Sequence, residues 1–275
     1  MKNMRITGAL TLFLAVMLAM STGCTGTGTS TAEEGTSEQA GGEAMSDREY
    51  EMSITDLTEA EKKILSDTFG EEKRFEEGRL FSYQIEALEQ LRAGRSYLEE
   101  RYPGHAFKTE SFTPADRFHP WAELRFKDED SPICLVKVFP SQDGETFECE
   151  DNFYGYLIQE SYDNRIEEIL REAGCPARSS TVFLSTVGSD LSANPSVEEL
   201  LFYDPELSRQ TALFVSDPEP DEETVGIMQK ALLVNKMYGN YWVYFTGQEM
   251  TGSIKDLEAS KSQWESLTFS CFEDE

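Results

Sequence analysis

Five cysteines, two histidines and a large surplus of carboxylates are the residues of this chain that could do chemistry. A nucleophilic thiol needs a lowered pKa, as at a helix N-terminus or beside a cation. Cys175 follows the expected C-terminus of a helix, where the dipole disfavours a thiolate. Cys134 and Cys149 fall on facing strands of an expected hairpin. With Pro140 opposite Glu145 they stand two residues off direct register, short of the alignment a disulfide wants. Cys271 lies in the last expected strand. Ordinary core thiols are the expectation for all four, with their pairing left open. His105 sits just past a helix end and His119 in a loop beside Pro120 and Trp121. Neither has partners at HExxH or paired CxxC spacing, so no metal and no cofactor is expected.

The carboxylates are less specific. "SDPEPDEET", residues 216–224, alternates Asp217, Glu219 and Asp221 in the manner of a calcium loop. Glu222 stands where such a loop needs glycine and Met228 where it needs a bidentate glutamate, so a helix cap at Asp221 is the simpler reading. Asp128-Glu129-Asp130 reads as a solvated turn. No glycine-rich phosphate loop, GxSxG elbow or legible carboxylate pair is present. Trp121 and Phe118 are candidates for stacking on a sugar or peptide, with packing the stronger expectation.

Cys24 differs from the other cysteines in its setting. Lys2 and Arg5 precede an apolar run from about Ile6 to Met20, which is shorter than the about 20 residues needed to span a bilayer. The run ends in Ser21, Thr22 and Gly23, the charged–apolar–small order of a secretory signal peptide. The Ser21-Thr22-Gly23-Cys24 string resembles the lipobox of bacterial lipoproteins, departing from it at Ser21, where leucine is favoured. The resemblance implies that Cys24 is diacylated and becomes the mature N-terminus; two chains anchor stably where one does not. Residues 1–23 are then the signal peptide. Residues 24–46 are the lipidated cysteine and a linker without aromatic or branched aliphatic side chains, a flexible coil reaching roughly 25 Å.

Loss of Lys2 and Arg5 with the signal moves the formal charge from −28 to −30. Phosphate backbones want Lys and Arg, so nucleic acid is excluded as a partner. Adsorption to anionic lipid is opposed too, which leaves the N-terminal lipid as the link to the membrane.

The elements that must position any site lie in 47–275, one extracytoplasmic domain or two lobes divided near 175–180. Helices are expected from Asp56 or Thr58 to Gly70 and from Tyr83 to Tyr102, with Ile85, Leu88, Leu91 and Leu98 as an apolar stripe. The period then changes to two through Phe107, Ala122–Phe126, Cys134–Val138 and Glu145–Cys149, a four-strand meander with its turn at Asp143-Gly144. Asp151 or Asn152 caps a helix to about Glu172, expected to complete the cover of that sheet. Beyond it come a strand from Thr181, a helix capped at Ser196, a strand at Ala212–Val215, a helix from Asp221 to about Met237, and strands at Tyr241–Phe245 and Leu267–Phe272. The fold class is α+β: an antiparallel meander packed on helices, followed by a second, mixed α/β lobe.

The whole resembles lipoproteins of Gram-positive bacteria with an extracytoplasmic domain. The expected function is that of a membrane-anchored, non-catalytic binding or envelope-associated module on the outer face of the cell membrane, with an envelope protein or small ligand as partner. The alternative is a carboxylate-dependent hydrolase of glycan or cell wall. The lack of a recognisable catalytic cluster favours the binding module.

Overall fold

The computed structural model describes residues 51–272 apart from 130, 143, 205, 206, 218, 248, 249 and 251. Cys24, the signal segment and the linker lie outside the described residues. In chain order the elements are β1 (Glu51–Ser53), α1 (Glu59–Phe69), α2 (Glu72–Glu76), β2 (Arg79–Phe81), α3 (Ser82–Arg101), β3 (Lys108–Thr113), β4 (Ala122–Lys127), β5 (Cys134–Pro140), β6 (Phe147–Asp151), α4 (Phe153–Glu172), β7 (Arg178–Phe183), α5 (Val197–Tyr203), β8 (Arg209–Val215), α6 (Glu222–Val234), β9 (Gly239–Phe245), α7 (Ile254–Ser260) and β10 (Glu265–Cys271).

They form two four-stranded sheets and a small β1–β2 ribbon. The first sheet, in order β3-β4-β5-β6, is an antiparallel meander. The second runs β10-β9-β8-β7, with β8 and β9 parallel across the α6 crossover and the outer pairs antiparallel. This is the expected α+β arrangement with a mixed second half. The described residues all belong to one compact unit that begins at Arg48.

Local signals place the helices. Thr58 and Glu61 close a capping box on α1, and Gly70 ends it in the left-handed conformation. Asp221 caps α6 by accepting from the Glu223 and Thr224 amides. The segment "EEKRFEEGRLFSY", ambiguous in the sequence, yields α2 and β2 because Phe75 and Leu80, fully buried, reach a core shared with Leu65 and Leu88.

Each sheet is covered by a 20-residue helix. On the first, α3 lays Ala87, Leu91 and Leu98 against Leu124, Phe126, Val136 and Val138. The expectation that α4 covers this sheet too is corrected. Apart from Phe153, its buried stripe of Tyr154, Ile158, Tyr162, Ile166, Ile169 and Leu170 belongs to the core of the second sheet. Polar groups fix it there. Glu167 accepts from the Ser179 amide (2.9 Å) and Asp163 from the Thr181 amide (3.3 Å), while Asn152 Nδ2 donates to the Phe183 carbonyl (3.4 Å). These groups lie on the free edge of β7, so the helix satisfies an edge that would otherwise be open to pairing with other chains. Gly155 allows the approach: a Cβ there would lie 2.4 Å from the Phe183 Cβ.

The hairpin register also differs from the expected one. Val138 pairs with Cys149 and Pro140 with Phe147, because residues 141–146 make a longer turn and the strand starts at Phe147 rather than Glu145. Cys134 and Cys149 are thereby carried further apart, and both are free thiols.

Candidate binding face

Most residues that the sequence offered for chemistry are turned inward. Cys134, Cys175 and Cys271 are buried, and Cys149 half-buried. Burial pushes the Cys134, Cys149 and Cys271 thiols up to about 12 and raises Cys175, the opposite of what a nucleophile needs. His105 Nδ1 lies 2.7 Å from Asp128 Oδ2, while the other carboxylate oxygen, Oδ1, accepts from the Ala106 amide. Hydrogen bonding to His105 holds the Asp128 carboxyl below the usual range. An imidazole oriented by a carboxylate can act as a base when a hydroxyl or thiol meets its other nitrogen. Here Ser131 Oγ donates to backbone carbonyls instead, and His105 packs among Phe107, Phe153 and Tyr102. The pair ties the loop after α3 to the turn after β4.

His119 is exposed, its Nδ1 3.6 Å from Asp116. Asp217 and Glu219 are exposed beside the α6 cap, and Met228 is fully buried. Among the described residues no group of three or more His, Cys, Asp or Glu could hold a metal ion. None of their helices is long and apolar enough to cross a membrane.

Two buried clusters escaped the sequence reading. Asp151, fully buried, accepts from the Tyr97 and Tyr102 hydroxyls and the Phe153 amide, each at 2.7 Å. Arg101 Nε stands 3.2 Å from it and Arg101 Nη2 donates to the Leu191 carbonyl. Burial raises the Asp151 pKa against the pull of these donors. Its backbone pairs with Val187 in an antiparallel bridge, so one residue fastens the end of the first sheet to the segment leaving β7. The sequence offered Asp151 only as a helix cap. Arg209, also buried, donates from Nε to the Tyr238 carbonyl (2.6 Å) and lies 5.3 Å from the Tyr162 ring centre. Asp151 and Arg209 themselves are sealed from solvent.

The faces of the two sheets turned away from α3 and α4 differ in chemistry. On the first, Lys137 stands between Glu123 and Glu150 in a cross-strand ladder of alternating charge. Trp121 is already engaged there. Its indole donates to Glu123 (3.1 Å), Lys137 Nζ lies 5.4 Å from its ring centre, and Phe139 and His119 pack at 5.8 Å. Phe118 is 85% exposed and does not join it.

On the second sheet, register aligns Val182, Gln210, Asn240 and Ser270 in one row and Ser180, Ala212, Trp242 and Thr268 in the next. None of these eight is ionisable, in a chain whose residues are 28% charged. At one end of the face α7 closes over: Glu258 accepts from Ser180, and Trp264 packs edge-on against Phe214, which stacks on Tyr244. At the other end Val182, Gln210, Thr268 and Ser270 are exposed, with Trp242 and Asn240 partly so. A separate open cleft of about 610 Å³ lies between the outer face of α4 and residues 194–198. Arg165 and Arg171 line it together with Glu167, Glu168 and Glu198, so its charge is mixed.

No protein-family model and no curated protein matches the chain. Among solved structures, the chain is similar to the crystal structure of a DUF5037 family protein from Ruminococcus gnavus, at 14% identity and a TM-score of 0.35, over 65% of this chain and 89% of that one.

Proposed function

We propose that this protein is a lipid-anchored extracytoplasmic binding module. Acylated Cys24 holds it at the outer face of the cell membrane, residues 25–46 keep the folded unit clear of the bilayer, and the open face of the second sheet takes the ligand. The observation that carries the binding role is the contrast within the fold: the thiols and the best-bonded carboxylate are sealed in, while Trp242 and its amide and hydroxyl neighbours face outward. The anchor rests on the lipobox-like string at Ser21–Cys24.

Cells expressing the full chain and fed an alkyne analogue of palmitate test the anchor. Label should appear on the protein and vanish in Cys24→Ala, which should move to the medium or periplasm. Retention of Cys24→Ala in the membrane fraction after a high-salt wash would overturn the lipoprotein reading.

A further inference from the structure

We infer that the ligand of this face is an uncharged glycan, stacked on Trp242 and hydrogen-bonded by Gln210, Asn240, Thr268 and Ser270; the inference rests on the binding role proposed above. Among the described residues the Trp242 ring meets no other ring and no cation, and its indole N–H has no acceptor. Trp121, on the other sheet, has all three. A partly exposed indole offers an apolar face and a polar rim, a pairing that suits a partner with the same division. A pyranose with equatorial substituents has it: axial C–H groups make an apolar face, and hydroxyls ring the edge.

The side chains beside Trp242 match that rim. Among the described residues the Gln210 amide, which can both donate and accept, meets no partner. Asn240 accepts from Ser270 Oγ at 2.7 Å, which leaves its amide nitrogen for a ligand and pre-orients the pair. Four strands at about 4.8 Å spacing make the row from Val182 to Ser270 about 14 Å long, the scale of a short oligosaccharide.

Charge decides against other occupants. A basic protein partner would be drawn to carboxylates, and an anionic one repelled by a chain of net charge −28, whereas the eight side chains of these two rows are uncharged and the Glu258 carboxylate at their covered end is bonded to Ser180. An uncharged ligand is indifferent to that field. An apolar protein surface would leave the Gln210 and Asn240 amides buried without partners, a costly outcome.

The test uses the full chain purified in mild detergent and titrated with cellohexaose and chitohexaose, followed by tryptophan fluorescence, with oligogalacturonate as an anionic control. At least one neutral hexasaccharide should give a saturable change that is insensitive to salt. Trp242→Ala should weaken binding about tenfold or more, as the loss of one stacked ring implies, and Trp121→Ala should leave it unchanged. Gln210→Ala, at an exposed position, should weaken it several-fold and serves if Trp242→Ala fails to fold. No saturable response to either neutral sugar, or full affinity in both Trp242→Ala and Gln210→Ala, would overturn the inference. Failure here with palmitate label still on Cys24 would remove the glycan and leave the anchor standing.

Discussion

The two sheets are built to one plan and differ in what holds each helix in place. Each carries a 20-residue helix that meets it at a glycine. At Gly94 an added Cβ would lie 3.0–3.1 Å from methyl groups of Leu124 and Val138, which can turn aside. At Gly155 it would lie 2.4 Å from the Cβ of Phe183, an atom fixed by the strand backbone. The first contact is made of aliphatic side chains. The second adds hydrogen bonds at the edge of β7, where Asp163 and Glu167 accept from strand amides and Asn152 donates to a strand carbonyl. Apolar packing lets a helix adjust, whereas bonds to a strand's backbone fix both position and register.

The largest effect should come from the point where the two regions join. Asp151→Ala removes the acceptor of two tyrosine hydroxyls and of the Phe153 amide and leaves Arg101 buried without its carboxylate. Breaking a buried pair of this kind costs about 3–5 kcal/mol. Urea unfolding followed by fluorescence should show it as a lower midpoint. The parent should unfold in a single transition, since Trp121 lies by the first sheet and Trp242 and Trp264 by the second. Two separated transitions in the parent would show that the bridge does not couple the sheets.

Next in size is Gly155→Ala, expected to cost about 3 kcal/mol by overpacking against Phe183. Thermal unfolding checks it, and a cost equal to that of Gly94→Ala would erase the distinction between the two helix contacts.

Asp163 gives a smaller effect with a pH signature. Burial raises its carboxyl to about 6, against the bonds from Thr181, while an unfolded aspartate titrates near 3.9. Between those values the folded chain holds the proton and the unfolded chain does not. This group's contribution to stability therefore falls as pH rises from about 4 to about 6 and stays low above that. Asp163→Asn lacks this slope. Relative to the parent it should gain about 2 kcal/mol between pH 4 and pH 7, read from urea midpoints at each pH. A difference constant across that range would contradict the buried, raised carboxyl. The mildest change is Gly94→Ala, at about 1 kcal/mol, because methyl groups can yield.

How much of this was legible in the sequence follows the same division. The meander could be read because its strands alternate cleanly and are joined by neighbours, as Ala122, Leu124 and Phe126 show. Caps at Thr58, Ser196 and Asp221 were visible for an equally local reason. The docking of α4 was not, because its apolar stripe suits either sheet and the deciding bonds, accepted by Asp163 and Glu167 from amides 18 and 12 residues further on, follow no local pattern. The same holds for Asp151, whose partners lie some fifty residues away and which reads locally as a cap. The open face was hidden for a related reason. Trp242 sits in the run Tyr241–Phe245, whose aromatic and β-branched residues read as a buried strand, and only the register with β8 and β10 sets it beside Gln210 and Thr268 on an open surface.

The most direct test of the account follows the three indole N–H signals by NMR in protein labelled with ¹⁵N at tryptophan, as the neutral hexasaccharide that gave saturable binding is added. The Trp242 signal should move progressively to saturation, Trp264 at the covered end should move less, and Trp121 on the charged face should stay in place. Movement of Trp121 with Trp242 fixed would place the ligand on the first sheet and contradict the account.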